Sequence, residues 1–236
     1  MNIKNMKRIN KRGASNHLEM ILSFVLFLGF FFFVIIFLQP YETSVLTTSI
    51  VDGAYYNFLQ YTNEEVVQFS IKINQAPKSC LSILLPTSFQ GYNSVFVYDI
   101  NNNFSNSKIL NENIIVKNEN LNSFFNIILV KDLVQPSEVL TCSNVYENYQ
   151  IGGILNESII SYQKIQDLKN EYDSNYEKLK DVFAVPGKFD FAINSEIISL
   201  ERPIPDNIKI MAKSYSEKVI LENGTIINVE FIIRAW

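Results

Sequence analysis

Hydrophobic residues follow three different patterns along this chain. From Met20 to Leu38 there is no charged residue, and Ser23 is the only polar side chain. From Glu65 onwards, short segments alternate between apolar and polar residues. Between Ser158 and Phe183, apolar residues recur every three or four positions. In order, the patterns predict a helix that is apolar on all sides, a set of β-strands, and an amphipathic helix.

The first pattern predicts a transmembrane helix. At about 1.5 Å per residue, the segment from Met20 to Leu38 forms a helix of roughly 28 Å, close to the thickness of the hydrocarbon core of a bilayer. Core helices of soluble proteins are rarely apolar on every face. We therefore predict a hydrophobic transmembrane helix over residues 14–39, and a break in the chain at Pro40.

The distribution of basic residues predicts the orientation of this helix. Five lysines and arginines lie in residues 1–13, and the next basic residue is Lys72. The positive-inside rule places a basic leader, residues 1–13, in the cytoplasm and residues 41–236 outside the membrane. A cleaved secretory signal is the alternative, but its apolar region is usually about 7–15 residues long and ends in small residues. Leu38-Gln39-Pro40-Tyr41 is not such a site.

The junction before the helix has a recognisable arrangement of residues. Lys11 and Arg12 precede Gly13 and Ala14, a short polar stretch follows, and Glu19 precedes the apolar segment. This arrangement resembles the class III signal peptide of archaeal type IV pilins and pilin-like proteins. The resemblance covers about 38 residues. It implies that a leader peptidase cuts on the cytoplasmic side, after Gly13 or after Ala14, and that the helix stays on the mature protein.

Glu19 has two interpretations. A carboxylate at the edge of the hydrocarbon region requires a partner. The resemblance to pilins implies that this partner is the terminal amine of a neighbouring subunit, which sets the register of assembly. Alternatively, Glu19 lies in the headgroup region and pairs with Arg12 or water. In common pilins the apolar helix continues into the globular head, so Pro40 favours an accessory role over bulk filament use.

The second pattern predicts a β-rich region over residues 41–150. Residues 41–62 fit either a helix or a strand. In residues 65–73, Val67, Phe69 and Ile71 alternate with polar residues, as in a half-buried strand. Further short strands are predicted at 80–85, 94–100, 113–117, 123–130 and 138–142. Strands of this length and spacing are typical of an antiparallel β-sandwich. Gly152-Gly153 is interpreted as a turn.

The third pattern predicts one long amphipathic helix from Ser158 to Phe183, capped by Asn156 or Ser158. C-terminal strands follow, and Asn223-Gly224 predicts a type I′ hairpin turn between the last two. Residues 151–236 are expected to pack with the preceding region. The predicted fold class is therefore a single transmembrane helix plus an extracytoplasmic α+β region with sandwich-like strands.

The charge of residues 41–236 bears on their partners, and their cysteines and N-glycosylation sequons predict covalent modifications. Residues 41–236 carry 15 of the 20 basic and 23 of the 24 acidic residues, which disfavours nucleic acid as a partner. Cys80 and Cys142 predict a disulfide outside the cell, although two free thiols are the alternative. Asn103, Asn156 and Asn223 begin N-glycosylation sequons.

The residues available for catalysis are few. His17 is the only histidine and lies at the cytoplasmic end of the predicted membrane helix, so no histidine-based triad is expected outside. The sequence shows no phosphate loop and no metal-ligand pattern, and we predict neither a cofactor nor a metal site. We expect a non-catalytic, pilin-like structural or accessory subunit. Its partners are membrane lipid, other pilin-like subunits and a leader peptidase. The alternative is an unprocessed, single-pass surface protein that binds or adheres.

Overall fold

A computed structural model describes residues 11–37, 43–76, 78–134, 140, 142, 145–146 and 148–236. The chain divides into two compact units, one ending at Leu46 and the other comprising Thr47–Trp236.

The first unit contains helix α1, Lys11–Phe37. Glu19–Ile36 is the one segment among the described residues that is long and apolar enough to cross a bilayer, and none of it is buried inside the chain. The helix begins three residues before the predicted start at residue 14. The predicted break at Pro40 lies outside the described residues.

Helix α2, Thr43–Thr62, lies mostly in the second unit, and it resolves the choice left open by the sequence in favour of a helix. The buried side chains of α2 recur at steps of four and three residues: Thr47, Val51, Ala54, Phe58 and Thr62. This spacing places them on one face of the helix. That face packs against strand residues such as Phe231, whose ring centroid lies 5.1 Å from that of Phe58.

The remaining elements are mostly strands. In chain order they are β1 (Asn63–Ile73), β2 (Cys80–Leu84), β3 (Ser94–Asp99), β4 (Phe104–Ser105), β5 (Ser107–Leu110), β6 (Asn113–Lys117), β7 (Phe124–Val130), β8 (Val145–Tyr146), β9 (Tyr149–Ser161), β10 (Phe191–Asn194), β11 (Ser199–Leu200), β12 (Met211–Ile220) and β13 (Ile226–Ala235). Helices α3 (Tyr162–Ser174) and α4 (Tyr176–Val182) lie between β9 and β10.

The strands form two sheets. The larger has the order β11-β10-β13-β12-β9-β1-β7-β3-β4, and the smaller has the order β5-β6-β2-β8. Most neighbours are antiparallel, but β9 pairs with β12 in parallel, and β2 with β8. The predicted antiparallel sandwich is therefore correct only in part, because both sheets are mixed and the larger one curls.

One face of the large sheet is covered by two different layers. The strand registers place Val67 and Ile160 on the same face. Around Val67, side chains of β1, β3 and β7 pack against the smaller sheet in a sandwich-like core. Around Ile160, side chains of β9, β12 and β13 pack against α2, α3 and α4. The opposite face, which carries Val66 and Ile159, is covered by neither layer and curls towards itself.

The strand predictions agree with most of this sheet. The predicted strands at 65–73, 80–85, 94–100, 113–117 and 123–130 correspond to β1, β2, β3, β6 and β7. In β1 the predicted phase is also correct, with Val67, Phe69 and Ile71 buried. The predicted strand at 138–142 lies largely outside the described residues.

The long amphipathic helix is the main error of the sequence interpretation. Strand β9 continues to Ser161, so Asn156 and Ser158 pair with β1 instead of capping a helix. Adjacent residues Ile159 and Ile160 are both buried, on opposite faces, which suits a strand between two cores. The helical part is also divided, since α3 ends at Ser174 and α4 starts at Tyr176. The buried helical face at Leu168, Tyr172 and Leu179 is as predicted.

The predicted type I′ turn is also wrong. Gly224 has a positive φ of 80°, but Asn223 does not, whereas a type I′ turn requires both. The backbone N–H of Leu221 donates to the carbonyl of Thr225 at 2.9 Å, which encloses a three-residue loop with Gly224 at its left-handed position. The side-chain oxygen of Asn223 accepts a hydrogen bond from the backbone N–H of Thr225 at 3.0 Å.

The predicted disulfide is confirmed. Cys80, at the start of β2, is bonded to Cys142, with their Cα atoms 5.8 Å apart. The bond closes a loop with a sequence separation of 62 residues, which contains most of the smaller sheet. The bond therefore joins the start of β2 to a residue that lies far along the chain.

Replacing both cysteines with serine should destabilise the protein by about 2–4 kcal/mol, because a loop of this length loses its restriction in the unfolded state. Thermal unfolding of the full chain in detergent measures the effect. Wild type treated with reductant should unfold at the same temperature as the double variant. An unchanged melting temperature in the double variant would contradict the stabilising role.

A polar contact fixes α2 to the sheet. Asp52 accepts a hydrogen bond from the Nζ atom of Lys213 at 2.6 Å and another from the hydroxyl of Tyr215 at 2.7 Å. The ring of Tyr215 also stacks on that of Tyr55 in α2. The hydrogen bonds from Lys213 and Tyr215 lower the pKa of Asp52 below its ordinary value of 3.8.

This shift predicts an acid-dependent contribution to stability. Because the pKa of Asp52 is lowered in the folded state, its contribution is complete above the unfolded value of 3.8 and is lost as the pH falls through the folded value. Asp52→Asn should therefore lower the free energy of unfolding at neutral pH, and the difference from wild type should be smaller at about pH 2. Urea titrations at both pH values check this; an equal difference at both would contradict it.

Candidate functional site

The uncovered face of the large sheet curls because the loop between β12 and β13 reaches strand β3. A Cβ atom added to Gly224 would lie 2.1 Å from the Cγ atom of Phe96. The hydroxyl of Tyr98, on the same strand, donates a hydrogen bond to the carbonyl of Asn223 at 3.3 Å. Only a glycine allows the loop backbone to approach the Phe96 ring this closely.

A small hydrophobic cluster fills part of the space inside this curl. Its buried members come from β1, β3, β7, β9, β12 and the segment after β7: Val66, Phe96, Val130, Leu133, Ile159 and Ile220. The cluster joins strands from both halves of the large sheet. It leaves the remainder of the curled face open.

The open part is a cleft of about 700 Å³, within the range of ligand pockets. Strands β1, β3, β7 and β9, the turn after β3, the β12–β13 loop and the start of β13 line it. The lining residues are Gln68, Phe69, Ser70, Tyr98, Asn102, Asn126, Ile127, Ile128, Gly153, Leu155, Gly224, Thr225 and Ile226.

The strand registers arrange the lining side chains in rows. Asn126 lies opposite Tyr98 on one side and opposite Ser70 on the other, so the three form a row across β3, β7 and β1. In the next row, Gln68 lies between Ile128 and Leu155. A polar row that begins with an aromatic ring therefore runs beside a row that is mainly aliphatic.

The row of Asn126 and Ser70 ends at two glycines. The register between β1 and β9 shifts at Ser70, where Gly152 and Gly153 form a β-bulge. A Cβ atom on Gly152 would lie 2.3 Å from the Oγ atom of Ser70, whereas one on Gly153 would meet no atom within 4 Å. The interpretation of Gly152-Gly153 as a turn is thus wrong: the pair lies within a strand and keeps this end of the cleft open.

The cleft is electrically neutral. Among the described residues that line it, none is Asp, Glu, Lys, Arg or His. Glu157, two positions beyond Leu155 on the same face of β9, is paired with Lys218 at 2.9 Å. Burial raises the pKa of Tyr98, opposed by a hydrogen bond with Thr225, so its hydroxyl stays protonated at neutral pH. The lining thus offers uncharged hydrogen-bonding groups.

Several of these groups are available to a ligand. Within the described part of the chain, the side chains of Gln68, Ser70 and Asn126 make no hydrogen bond. Each of them can both donate and accept. All three project from the uncovered face, so a bound molecule could satisfy them directly.

The residues predicted for processing and assembly lie elsewhere. Arg12, Gly13 and Ala14 belong to the first turns of α1. Glu19 lies in the same helix and is exposed. Their roles in cleavage and in pairing with an amine remain predictions.

The three sequons occupy different environments. Asn103 follows β3, and its side-chain amide donates to Asp99 at 3.0 Å. Asn156 lies exposed in β9, on the face opposite the cleft, and Asn223 lies exposed in the β12–β13 loop. Glycosylation of these residues remains a prediction.

No metal centre is apparent in the described ranges, where no group of three or more His, Cys, Asp or Glu residues could hold an ion. The carboxylate of Asp99 is buried beside a small polar pocket, but it accepts hydrogen bonds from the backbone N–H groups of Asn101 and Asn103. Side-chain amides of Asn103 and Asn122 also donate to it. We interpret Asp99 as a clamp for the turn after β3.

The cleft is not predicted from the sequence, although two of its residues are assigned to the correct face. Alternation in β1 assigns Gln68 and Ser70 to the polar face, and such a face predicts contact with solvent. The sequence signal for the cleft is the pair Gly152-Gly153, because glycine inside a strand indicates a bulge or a close approach of another backbone.

Gly224→Ala should disrupt the curl. The substitution forces a side chain into a left-handed conformation and against Phe96, so we expect a destabilisation of about 2–4 kcal/mol. Gly91 is a matched control, because its φ is 94° but its added Cβ meets no atom within 4 Å. Gly91→Ala should therefore lose only about 1–2 kcal/mol. Equal losses in the two variants, measured by urea unfolding, would contradict the importance of the Phe96 contact.

Comparison with known proteins gives no relative from which a function could be transferred: no protein family, curated protein or solved structure matches this chain.

Proposed function

We propose that this chain is a membrane-anchored, pilin-like protein that acts as a non-catalytic structural or accessory subunit of a cell-surface filament or secretion-related assembly. The observation that carries the proposal is helix α1. Its apolar side chains from Met20 to Ile36 are not buried inside the chain, so they require another apolar environment. Lipid, or the same helix of neighbouring subunits, supplies that environment.

The residues around α1 support a pilin-like role over a simple anchor. The basic leader ends at Arg12, the small residues Gly13 and Ala14 follow, and Glu19 immediately precedes the apolar stretch. Cleavage at this junction creates an amine close to Glu19 in sequence. In an assembly, Glu19 of one subunit then pairs with the amine of its neighbour, which gives the carboxylate the partner it needs.

The disulfide supports an extracytoplasmic location for the second unit. Bonds such as Cys80–Cys142 persist in oxidising compartments and are rare in the cytosol. The basic leader independently favours this orientation. Both observations support the proposal that the large sheet and its cleft lie on the extracytoplasmic side.

An unprocessed, single-pass surface protein that binds a ligand is the second candidate. The cleft favours it, because an open and neutral site with unpaired amides suits recognition. Its described lining includes no carboxylate that could act as a general acid or base, so we favour binding over hydrolysis. The two candidates differ in the fate of the leader.

The N-terminus of the protein in native membranes distinguishes them. Intact-mass measurement and N-terminal sequencing, with and without the pilin-type leader peptidase, should show a peptidase-dependent terminus at Ala14 or Ser15. If the new terminus is Ala14, Gly13→Leu should abolish processing, and if it is Ser15, Ala14→Leu should do so. In each case the leader peptidase of the pilin family needs a small residue immediately before the cut.

Gly29→Leu is the matched control for these variants. Gly29 also lies in α1, and an added Cβ there meets no atom within 4 Å. This variant should be processed like wild type. A Met1 terminus in wild-type protein from peptidase-positive membranes would overturn the pilin-like proposal and leave the surface-binding candidate.

A further inference from the structure

We propose that the cleft on the curled face binds a neutral oligosaccharide. This inference rests on the cleft alone, and it goes beyond the proposed function, since it applies to a filament subunit and to an unprocessed surface protein alike. The groups proposed to contact the sugar are the amides of Gln68 and Asn126, the hydroxyl of Ser70 and the ring of Tyr98.

The absence of charge among the described lining residues selects a neutral ligand. A phosphate, carboxylate or ammonium group entering the cleft would lose part of its hydration without gaining an opposite charge, which is unfavourable. Lys218, two positions before Ile220 in β12, is already paired with Glu157. A charged ligand therefore lacks a compensating partner.

The unpaired polar groups select a ligand rich in hydrogen-bonding groups. Gln68 and Asn126 each present an amide with two donors and one acceptor oxygen, and Ser70 presents a hydroxyl. If a purely apolar ligand covered them, these groups would lose their hydrogen bonds to water without replacement, which is unfavourable. Sugar hydroxyls both donate and accept, and so match all three.

The aliphatic and aromatic groups complete the match. Tyr98 lies at one end of the polar row and is half-buried, and Leu155 in the neighbouring row is 49% exposed. Sugar rings present C–H groups on their faces and hydroxyls around their edges. A ring lying across the sheet can thus contact Leu155 or Tyr98 while its hydroxyls reach Ser70 and Asn126.

The dimensions suit more than one sugar ring. The row from Tyr98 through Asn126 and Ser70 to Gly153 crosses four strands, which is about 14 Å at the usual strand spacing. Because Gly153 has no side chain, the row is open at this end. The cleft therefore fits a short chain of sugars.

Binding can be tested with the full chain in detergent micelles. The probes are maltotriose, mannotriose, galactotriose and chitotriose, titrated by calorimetry up to millimolar concentration, with trigalacturonate as a charged probe. We expect saturable binding of at least one neutral trisaccharide and none of trigalacturonate. No saturable binding of any neutral probe, or tighter binding of the charged one, would overturn the proposal.

Gly153→Leu assigns the binding to the cleft. The added leucine side chain occupies open space in the cleft. Binding should therefore weaken at least tenfold, while the melting temperature stays near that of wild type. Gly187→Leu is the matched control, because Gly187 is equally open but follows α4, outside the cleft lining. Equal affinities of Gly153→Leu and wild type would place the binding elsewhere.

Asn126→Ala provides a second test that does not depend on added bulk. Asn126 is exposed, so its truncation should leave the fold intact and weaken binding several-fold through loss of hydrogen bonds. Unchanged affinity would contradict its role.

An uncharged peptide of serine, glycine and asparagine is titrated in parallel, and preferential binding of this peptide would replace the oligosaccharide assignment with a peptide site.

Discussion

The contact between Gly224 and Phe96 is the constraint on which the shape of the second unit depends. It brings the tip of the β12–β13 hairpin to β3, although the two lie far apart in the strand order of the large sheet. A sheet of this width twists, and the loop contact holds one part of its face near another. The absence of a side chain at one position permits that contact, and the small cluster around Val66 and Ile159 is enclosed as a result.

The curl also explains why a single sheet supports several environments. Strand β9 is long enough to contribute Ile160 to the helix-covered core, Ile159 to the cluster inside the curl, and Leu155 to the cleft. Its partner β1 does the same, with Val67 facing the smaller sheet and Gln68 facing the cleft. Alternation along two neighbouring strands thus divides the unit into a supporting face and an accessible face.

Features that depend on a local residue pattern are predictable from this sequence. Features that depend on contacts between residues far apart in the chain are not. The apolar α1, the phase of β1 and the pairing of Cys80 with Cys142 follow from composition, period and an even cysteine count. The spacing of Ile159 to Tyr162 predicts a helix, because three residues fit helical periodicity, although Ile159 lies at the end of a strand. The cleft was not predictable, since Gln68 looks like any solvent-facing residue until a loop from the far end of the chain curls over it.

The direct succession of α2 and β1 has a mechanical consequence. The helix ends at Thr62 and the strand begins at Asn63, so tension from the N-terminal side, once it has pulled α2 from its contacts with β12 and β13, passes to β1 without a linker. That strand is paired with β7 on one side and β9 on the other, both antiparallel, with hydrogen bonds perpendicular to the strand. A pull along β1 therefore loads these bonds together in shear instead of opening them one by one, so the strand resists extraction along its own axis.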